Sequence, residues 1–277
     1  MSGWQARLEL EFRRDGAATR SRDRHVGPLR VLQPLYPEGP AICHQVLVHP
    51  PGGLVGGDTV ELDVRVGAGA HALITTPGAT RWYRSEGEPA RQSVRLSLAS
   101  GSRLEWLPLE SIAHSGCLAE SRLQAALAPG AEMMGWDLLA LGLPASAQPF
   151  DAGCYRQHLE IEGLWLERAA IAASDRALLD AAPGWAGRRV LATLWFAAGA
   201  AIEAPRRERL LEAARAGVAA HPLAACAGAS SPQPALLVLR VLAPGVEPAL
   251  SLLAAVRAAW RRAAWDLAAP APRTWST

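Results

Sequence analysis

Residues 59–76 read TVELDVRVGAGAHALITT, and the period of this stretch decides the fold. Val60, Leu62, Val64 and Val66 alternate with Glu61, Asp63 and Arg65, giving one apolar and one charged face. Successive side chains of an extended backbone point to opposite faces, so a period of two marks a half-buried strand. Gly67-Ala68-Gly69-Ala70 then supplies turn glycines, and Ala72 to Thr76 resumes an extended, apolar and β-branched pattern. Together the two segments read as a β-hairpin.

The same sketch recurs downstream. Val94, Leu96 and Leu98 lead through Ala99-Ser100-Gly101-Ser102 into Leu104-Glu105-Trp106, and Leu123 to Leu127 leads through Ala128-Pro129-Gly130-Ala131 into Met133 to Leu138. Gly69, Gly101 and Gly130 fall at intervals of roughly thirty residues, as in supersecondary repeats that stack and share a core. Leu159-Glu160-Ile161 and Leu164-Trp165-Leu166 flank Glu162-Gly163 as a fourth hairpin candidate, and Leu236 to Leu242 is an apolar strand stopped by Pro244-Gly245. Two segments follow a helical period instead: 205–220, with Leu210, Leu211 and Ala214 on one face, and 247–267, with Leu252, Val256, Ala259, Ala263 and Leu267 in register. The expected fold class is mainly β, with stacked antiparallel β-hairpins in a superhelical arrangement and two α-helices near the C-terminus.

Composition narrows the function. The chain has 277 residues, half of them hydrophobic, enough for a large core. Its formal charge is +2 and all 28 basic residues are arginines spread along the chain, so no basic stripe points to nucleic acid. The four cysteines form no CxxC pair. The first fifteen residues mix charged and apolar side chains with no apolar core segment, and the most apolar run, 190–202, is shorter than the ~20 residues a spanning helix needs. A cytoplasmic protein with reduced thiols and no membrane association is expected.

Catalytic motifs are missing. No GxSxG elbow or HExxH occurs, and the glycine-rich stretch 50–57 fits neither GxxxxGK[ST] nor GxGxxG, so tight bends or close backbone approach account for its glycines. His44 and His49 face opposite sides of one strand, whereas Cys43 and His49 share a side but lie ~20 Å apart along it. His71, His114, His158 and His221 have no HxH or HxxxH partner. Glu61, Asp63 and Arg65 form either a solvated strand face or the lining of a polar passage for a weakly held hydrated ion.

Four ordered blocks carry a family resemblance: His49-Pro50-Pro51-Gly52-Gly53, Gly56-Gly57-Asp58, Thr75-Thr76-Pro77-Gly78-Ala79-Thr80 and Tyr83-Arg84-Ser85. Leu104-Glu105-Trp106-Leu107-Pro108, Trp136-Asp137 and the closing Pro272-Arg273-Thr274-Trp275-Ser276-Thr277 extend it. In these the chain resembles the UreD (UreH) family of urease accessory proteins. The resemblance implies a single UreD-type domain over 1–277 that is no enzyme. It further implies a maturation factor binding apo-urease and the UreF-type and UreG-type accessory proteins in a hetero-oligomer. Nickel would pass transiently through that assembly, with no tightly bound cofactor. Asp58, Glu61 and Arg81, beside the best-matched blocks, are the expected lining of a nickel route. The rival expectation is a metal-dependent hydrolase using Asp58 and the scattered histidines.

Departures from the family pattern are local. Arg81-Trp82 stands where Lys-Phe is common, and Leu109 and Ser111 replace a usual Gln and Thr. Leu143 and Gln148 stand where an Arg and a Glu are usual, which reads as the coupled exchange of a buried pair. Trp275 is expected to be docked, because a Trp in a frayed tail would leave a large apolar surface in water.

Overall fold

The computed structural model describes residues 3–143 and 146–276; Thr277, the last residue of the closing motif, lies outside the described residues. In chain order the elements are β1 (Gln5–Asp15), β2 (Ala18–Val26), β3 (Arg30–Val31), β4 (Ile42–Val48), β5 (Gly53–Leu54), β6 (Thr59–Val66), β7 (His71–Thr75), β8 (Thr80–Trp82) and β9 (Ala90–Leu98). Then follow β10 (Arg103–Leu107), β11 (Ser111–Ala113), β12 (Cys117–Leu127), β13 (Glu132–Leu141), β14 (Gly153–Ile161) and β15 (Trp165–Ala172). The last part holds α1 (Arg176–Asp180), β16 (Val190–Ala198), α2 (Ala204–Ala219), β17 (Ala227–Gln233), β18 (Leu236–Ala243) and α3 (Val246–Trp265).

The chain winds between two sheets. One runs β15-β14-β12-β9-β6-β1-β2, the other β17-β18-β16-β13-β10-β7-β4-β3, and the short β5, β8 and β11 form a ladder on the side. Each circuit contributes one strand to each large sheet, and successive circuits pair in parallel, as in β6 with β9, β9 with β12, β7 with β10 and β10 with β13. The expected superhelical β architecture is therefore present as a β-solenoid.

The sense of pairing differs from expectation. The segments on either side of residues 67–70, 99–102 and 128–131 lie in opposite sheets, so these are arches and not antiparallel hairpins. Alternation cannot separate the two cases, because a strand with one buried face has a period of two whichever neighbour it pairs with. β7 is buried at all five positions, the double covering that parallel sheets usually have. Gly69, Gly101 and Gly130 all have positive φ and stack at the arches, where Gly69 N–H donates to Ser100 O at 3.3 Å. True antiparallel pairs close the ends: β14 with β15, the fourth expected hairpin, β1 with β2, and β13 with β16 and then β18.

Burial follows the strand parity. Leu8, Leu10 and Phe12 of β1, Val60 to Val66 of β6 and Val94 to Leu98 of β9 meet Ala72, Ile74, Leu104 and Trp106 between the sheets. The outer face of the second sheet carries Leu73, Leu107, Met134, Trp136 and Leu138, covered by the helices. Both helices lie within two residues of their expected bounds. Leu252, Leu253, Val256 and Trp260 of α3 are fully buried there, each stabilising the fold by roughly 1.5–3 kcal/mol. α3 ends at Asp266, whose left-handed conformation turns the chain back towards the sheet.

Candidate functional site

The matched blocks gather at one corner of the solenoid, on three successive circuits. β5, β8 and β11 stack there in parallel order, with Gly53 beside Arg81, Leu54 beside Trp82 and Ile112 beside Arg81. Two glycines allow the contact. A Cβ on Gly53 would lie 2.4 Å from the Tyr83 ring and one on Gly56 would lie 2.2 Å from Ser85 Oγ, so the first motif touches the last through its backbone. Ser85 Oγ–H donates to Glu88 O, Ser85 N–H donates to Gly116 O at 3.0 Å, and Arg84 bridges to Cys117 of the following circuit. Pro50 and Pro51 occupy the bend that Gly52 N–H closes onto His49 O at 2.8 Å.

This corner opens on a cavity of about 260 Å³ between the sheets. Leu47, Leu54, Val60, Leu62, Val94 and Trp106 make most of its wall apolar, while His49, Gly52 and Thr76 to Thr80 with Pro77 and Gly78 form its motif side. His49 packs against the Trp4 ring at 4.8 Å between centroids, and its Nε2 is buried without a hydrogen-bond partner. Burial pushes its pKa below the usual imidazole value, and the charge of Asp58 opposes that only in part.

A polar row leads inward from the cavity. Gln92, a lining residue, stands in register with Ser121 on β12, and Ser121 with Gln157 on β14. All three share the parity of the inward-facing Val94, Leu123 and Leu159. Strands are ~4.8 Å apart, so the row spans about 10 Å along the solenoid axis. It ends on the opposite sheet, where Gln157 Nε2 donates to Asp137 Oδ2 at 2.6 Å.

The expected route residues occupy three different settings. Asp58 is 1% exposed and accepts from two backbone amides, Trp4 N–H at 3.2 Å and Val55 N–H at 2.9 Å. Glu61 faces outward on β6 beside Asp63, whose carboxyl is held below its usual range by the Arg95 hydrogen bond. Arg81 is exposed on β8, near enough to His114 for its charge to add to the burial that lowers that histidine's pKa. Among the described residues no hydrogen bond or ion pair joins these three to one another. Nor does any group of three or more His, Cys, Asp or Glu side chains there have the arrangement of a metal site.

Other features escaped the sequence reading. Glu105 is fully buried under α3 and receives Arg257 Nε at 2.8 Å, with the His71 ring at 3.4 Å and Arg261 Nε at 3.6 Å. Arg261 also donates to Glu38 at 2.7 Å, and His44 lies 2.8 Å from the same carboxylate. Burial alone would raise the Glu105 carboxyl, but His71 and the two guanidiniums outweigh it and hold the group at about 2. Leu143 and Gln148 are no buried pair: they exchange backbone hydrogen bonds of 2.6 and 3.1 Å, and Gln148 is exposed. Their exchange for Arg and Glu needs no coupling through the core.

No helix of the described residues is long and apolar enough to cross a membrane. The family model described as UreD urease accessory protein matches residues 5–276. Similar curated proteins include the urease accessory protein UreD of Leptothrix cholodnii, 60% identical over 99% of both chains. The urease accessory proteins UreD of a Polaromonas species and of Variovorax paradoxus are 57% and 56% identical over the same shares.

Proposed function

Because the chain belongs to the UreD family of urease accessory proteins, whose members by name assist urease and are not its catalyst, we propose that it guides nickel through its solenoid to apo-urease during maturation. The ion is cargo and enters at the cavity beside the matched blocks. The polar row Gln92, Ser121 and Gln157, set in an apolar interior, is the observation that carries this reading. Buried polar side chains need partners, and a polar row that starts at a cavity lined by Gln92 suits a hydrated cation better than it suits a core.

In this reading the chain works in the cytoplasm within a hetero-oligomer, docked to a UreF-type partner and through it to a UreG-type partner. Support comes from the exposed Val26, Leu32, Leu35 and Val55. Val55 lies between the first two matched blocks, Leu32 N–H pairs with Val46 O, and the neighbouring Arg30 pairs with Val48 at the cavity edge. An apolar surface around an opening favours a partner that excludes water from the passage. The hydrolase alternative has little support, since both Asp58 oxygens are engaged by backbone amides.

The test is Gln92→Leu, which keeps side-chain bulk and removes one polar step. Urease activity and nickel content after maturation should fall, while co-purification with the UreF-type partner and apo-urease stays intact. Full activation by this variant would argue against an interior route.

A further inference from the structure

The outer face of the first sheet, across the solenoid from α2 and α3, is charged along its length, but the charges are unevenly paired. Towards β1, β6 and β9 cations meet carboxylates: Arg13 Nε donates to Glu11 at 2.7 Å and Arg95 Nε to Asp63 at 2.5 Å. At the β2 end Arg22, Arg24 and Arg65 share their groove with Glu9, Glu11, Asp23 and Asp63. The other end differs. On β12, β14 and β15 stand the exposed Arg122, Arg156 and Arg168. Among the described residues no carboxylate lies within ion-pair distance of any of these three, and Arg122 acts on Glu160 only from beyond that distance.

Strand register brings the three together. Arg122 stands beside His158 of β14, and His158 beside Arg168 of β15. Arg156 lies two residues from His158 on β14, between Glu120 and Ala170. With strands ~4.8 Å apart and ~3.3 Å per residue, all three backbones fall within about 10 Å of one another. His158 is the low point in their middle, its side chain 15% exposed. The groove they enclose holds about 420 Å³, with the small Ala169 and Ala170 on its β15 side. That volume is within the ~300–1,000 Å³ of small-ligand sites.

Arg168 is held in position. Its Nε–H donates to His158 Nδ1 at 3.2 Å, so the ring proton sits on Nε2 and is donated to Glu160 Oε2 at 2.8 Å. Gln124 steadies the same oxygen at 2.9 Å. Bonding through Nε leaves both terminal nitrogens of Arg168 for a ligand. The nearby carboxylates are already engaged, Glu160 by His158 and Gln124, and Glu120 by Arg91 at 2.9 Å. A guanidinium fork matches the oxygens of a phosphate. A dianion with acceptors on every side answers three such forks, whereas a single carboxylate answers one. The geometry points to a binding site for a phosphate group, free or as a monoester, formed by Arg122, Arg156 and Arg168, with His158 as the positioning residue of Arg168. The groove is open to water and salt, so it holds the ligand weakly and reversibly. Nothing in this site depends on nickel transit.

Isothermal titration calorimetry of the full-length chain with inorganic phosphate, at pH 7.5 in about 0.15 M chloride, tests the site. Arg156→Gln removes one fork, and Arg22→Gln, at the far end of the same face, removes the same charge as control. Wild type and control should bind phosphate alike, and Arg156→Gln more weakly by about tenfold or more. Both positions are exposed, so melting temperatures should stay within a degree or so of wild type. Glycerol 3-phosphate separates the two sources: binding at least as tight as that of free phosphate assigns a monoester, weaker binding the free ion. No binding by wild type, or an Arg156→Gln affinity no different from that of Arg22→Gln, would overturn the site. A hexaglutamate peptide that binds where phosphate does not would overturn it too, and make the face a dock for acidic protein.

Discussion

The indole of Trp275 donates a 2.8 Å hydrogen bond to the hydroxyl of Thr75, a residue 200 positions earlier in the chain. The Thr75 hydroxyl in turn donates a hydrogen bond to Leu107 O at 2.7 Å, while the Trp136 ring lies 5.1 Å from Trp275 and the Arg257 guanidinium stands 5.8 Å from its centroid. The tail is thus docked on its own body, against the strand that leads into the Thr76-Pro77-Gly78 motif. Trp275→Ala should cost about 1–3 kcal/mol, less than a fully buried Trp because the ring is only half buried. Trp275→Phe should recover part of that through stacking. Thermal melts of both variants measure the difference.

Glu105→Gln leaves Arg257 without its carboxylate partner under α3 and Arg261 with Glu38 alone, and should destabilise by about 3–5 kcal/mol at pH 7. The pH dependence has a definite sign. The folded-state pKa of about 2 lies below the ordinary carboxylate value, so the stabilisation is complete above about pH 4.5 and is lost as pH falls towards 2. Denaturant midpoints of wild type and variant should converge across that window; a constant gap would show that the charge of Glu105 is not what matters.

Asp58→Ala and Glu61→Ala should separate structure from transit. The first removes an acceptor shared by two backbone amides, Trp4 N–H and Val55 N–H, and should lower stability by about 1–3 kcal/mol, together with assembly. The second removes an outward carboxylate and should leave the melting temperature within a degree or so of wild type. Melting curves run beside nickel loading show whether Asp58 acts through the turn it holds, and Asp58→Asn, which keeps one acceptor oxygen, should fall between.

Asp137 has the opposite linkage from Glu105. Its folded-state pKa of about 6 exceeds the ordinary value, so ionising it costs stability, a penalty absent below about pH 4 and complete above about pH 6. Asp137→Asn, in the presence of a chelator, should therefore stabilise the protein by about 3 kcal/mol at pH 8 and have little effect at pH 4. Chemical denaturation at the two pH values checks the trend.

The strands, the positions of the turns between them and both long helices were legible because each is written in local sequence pattern. The Val60 to Val66 alternation and the glycines at 69, 101 and 130 need no knowledge of what lies opposite. Pairing was not legible, since a hairpin and an arch share the same pattern. The charged cluster was further out of reach: Glu38 and Arg261 lie 223 positions apart, and no spacing rule connects them. Gln92, Ser121 and Gln157 sit unremarkably in their own strands and become a row only once the circuits are stacked in register. His49 and the motif glycines were found through the resemblance, and the structure adds that His49, Gly52 and Gly78 border one cavity.

The ties between α3 and the early circuits also set an order for synthesis. Glu105 gains Arg257 only after 152 further residues have been made, and Thr75 waits longer still for Trp275. While the ribosome is working, the outer face of the second sheet, with Leu73, Met134 and Trp136, has no cover. Contacts of such long sequence separation are slow to form, and apolar surface left open meanwhile invites association. A chain released without its last thirty residues would hold its windings and expose that face, so quality control in the cell has a simple sign to read: completeness at the C-terminus.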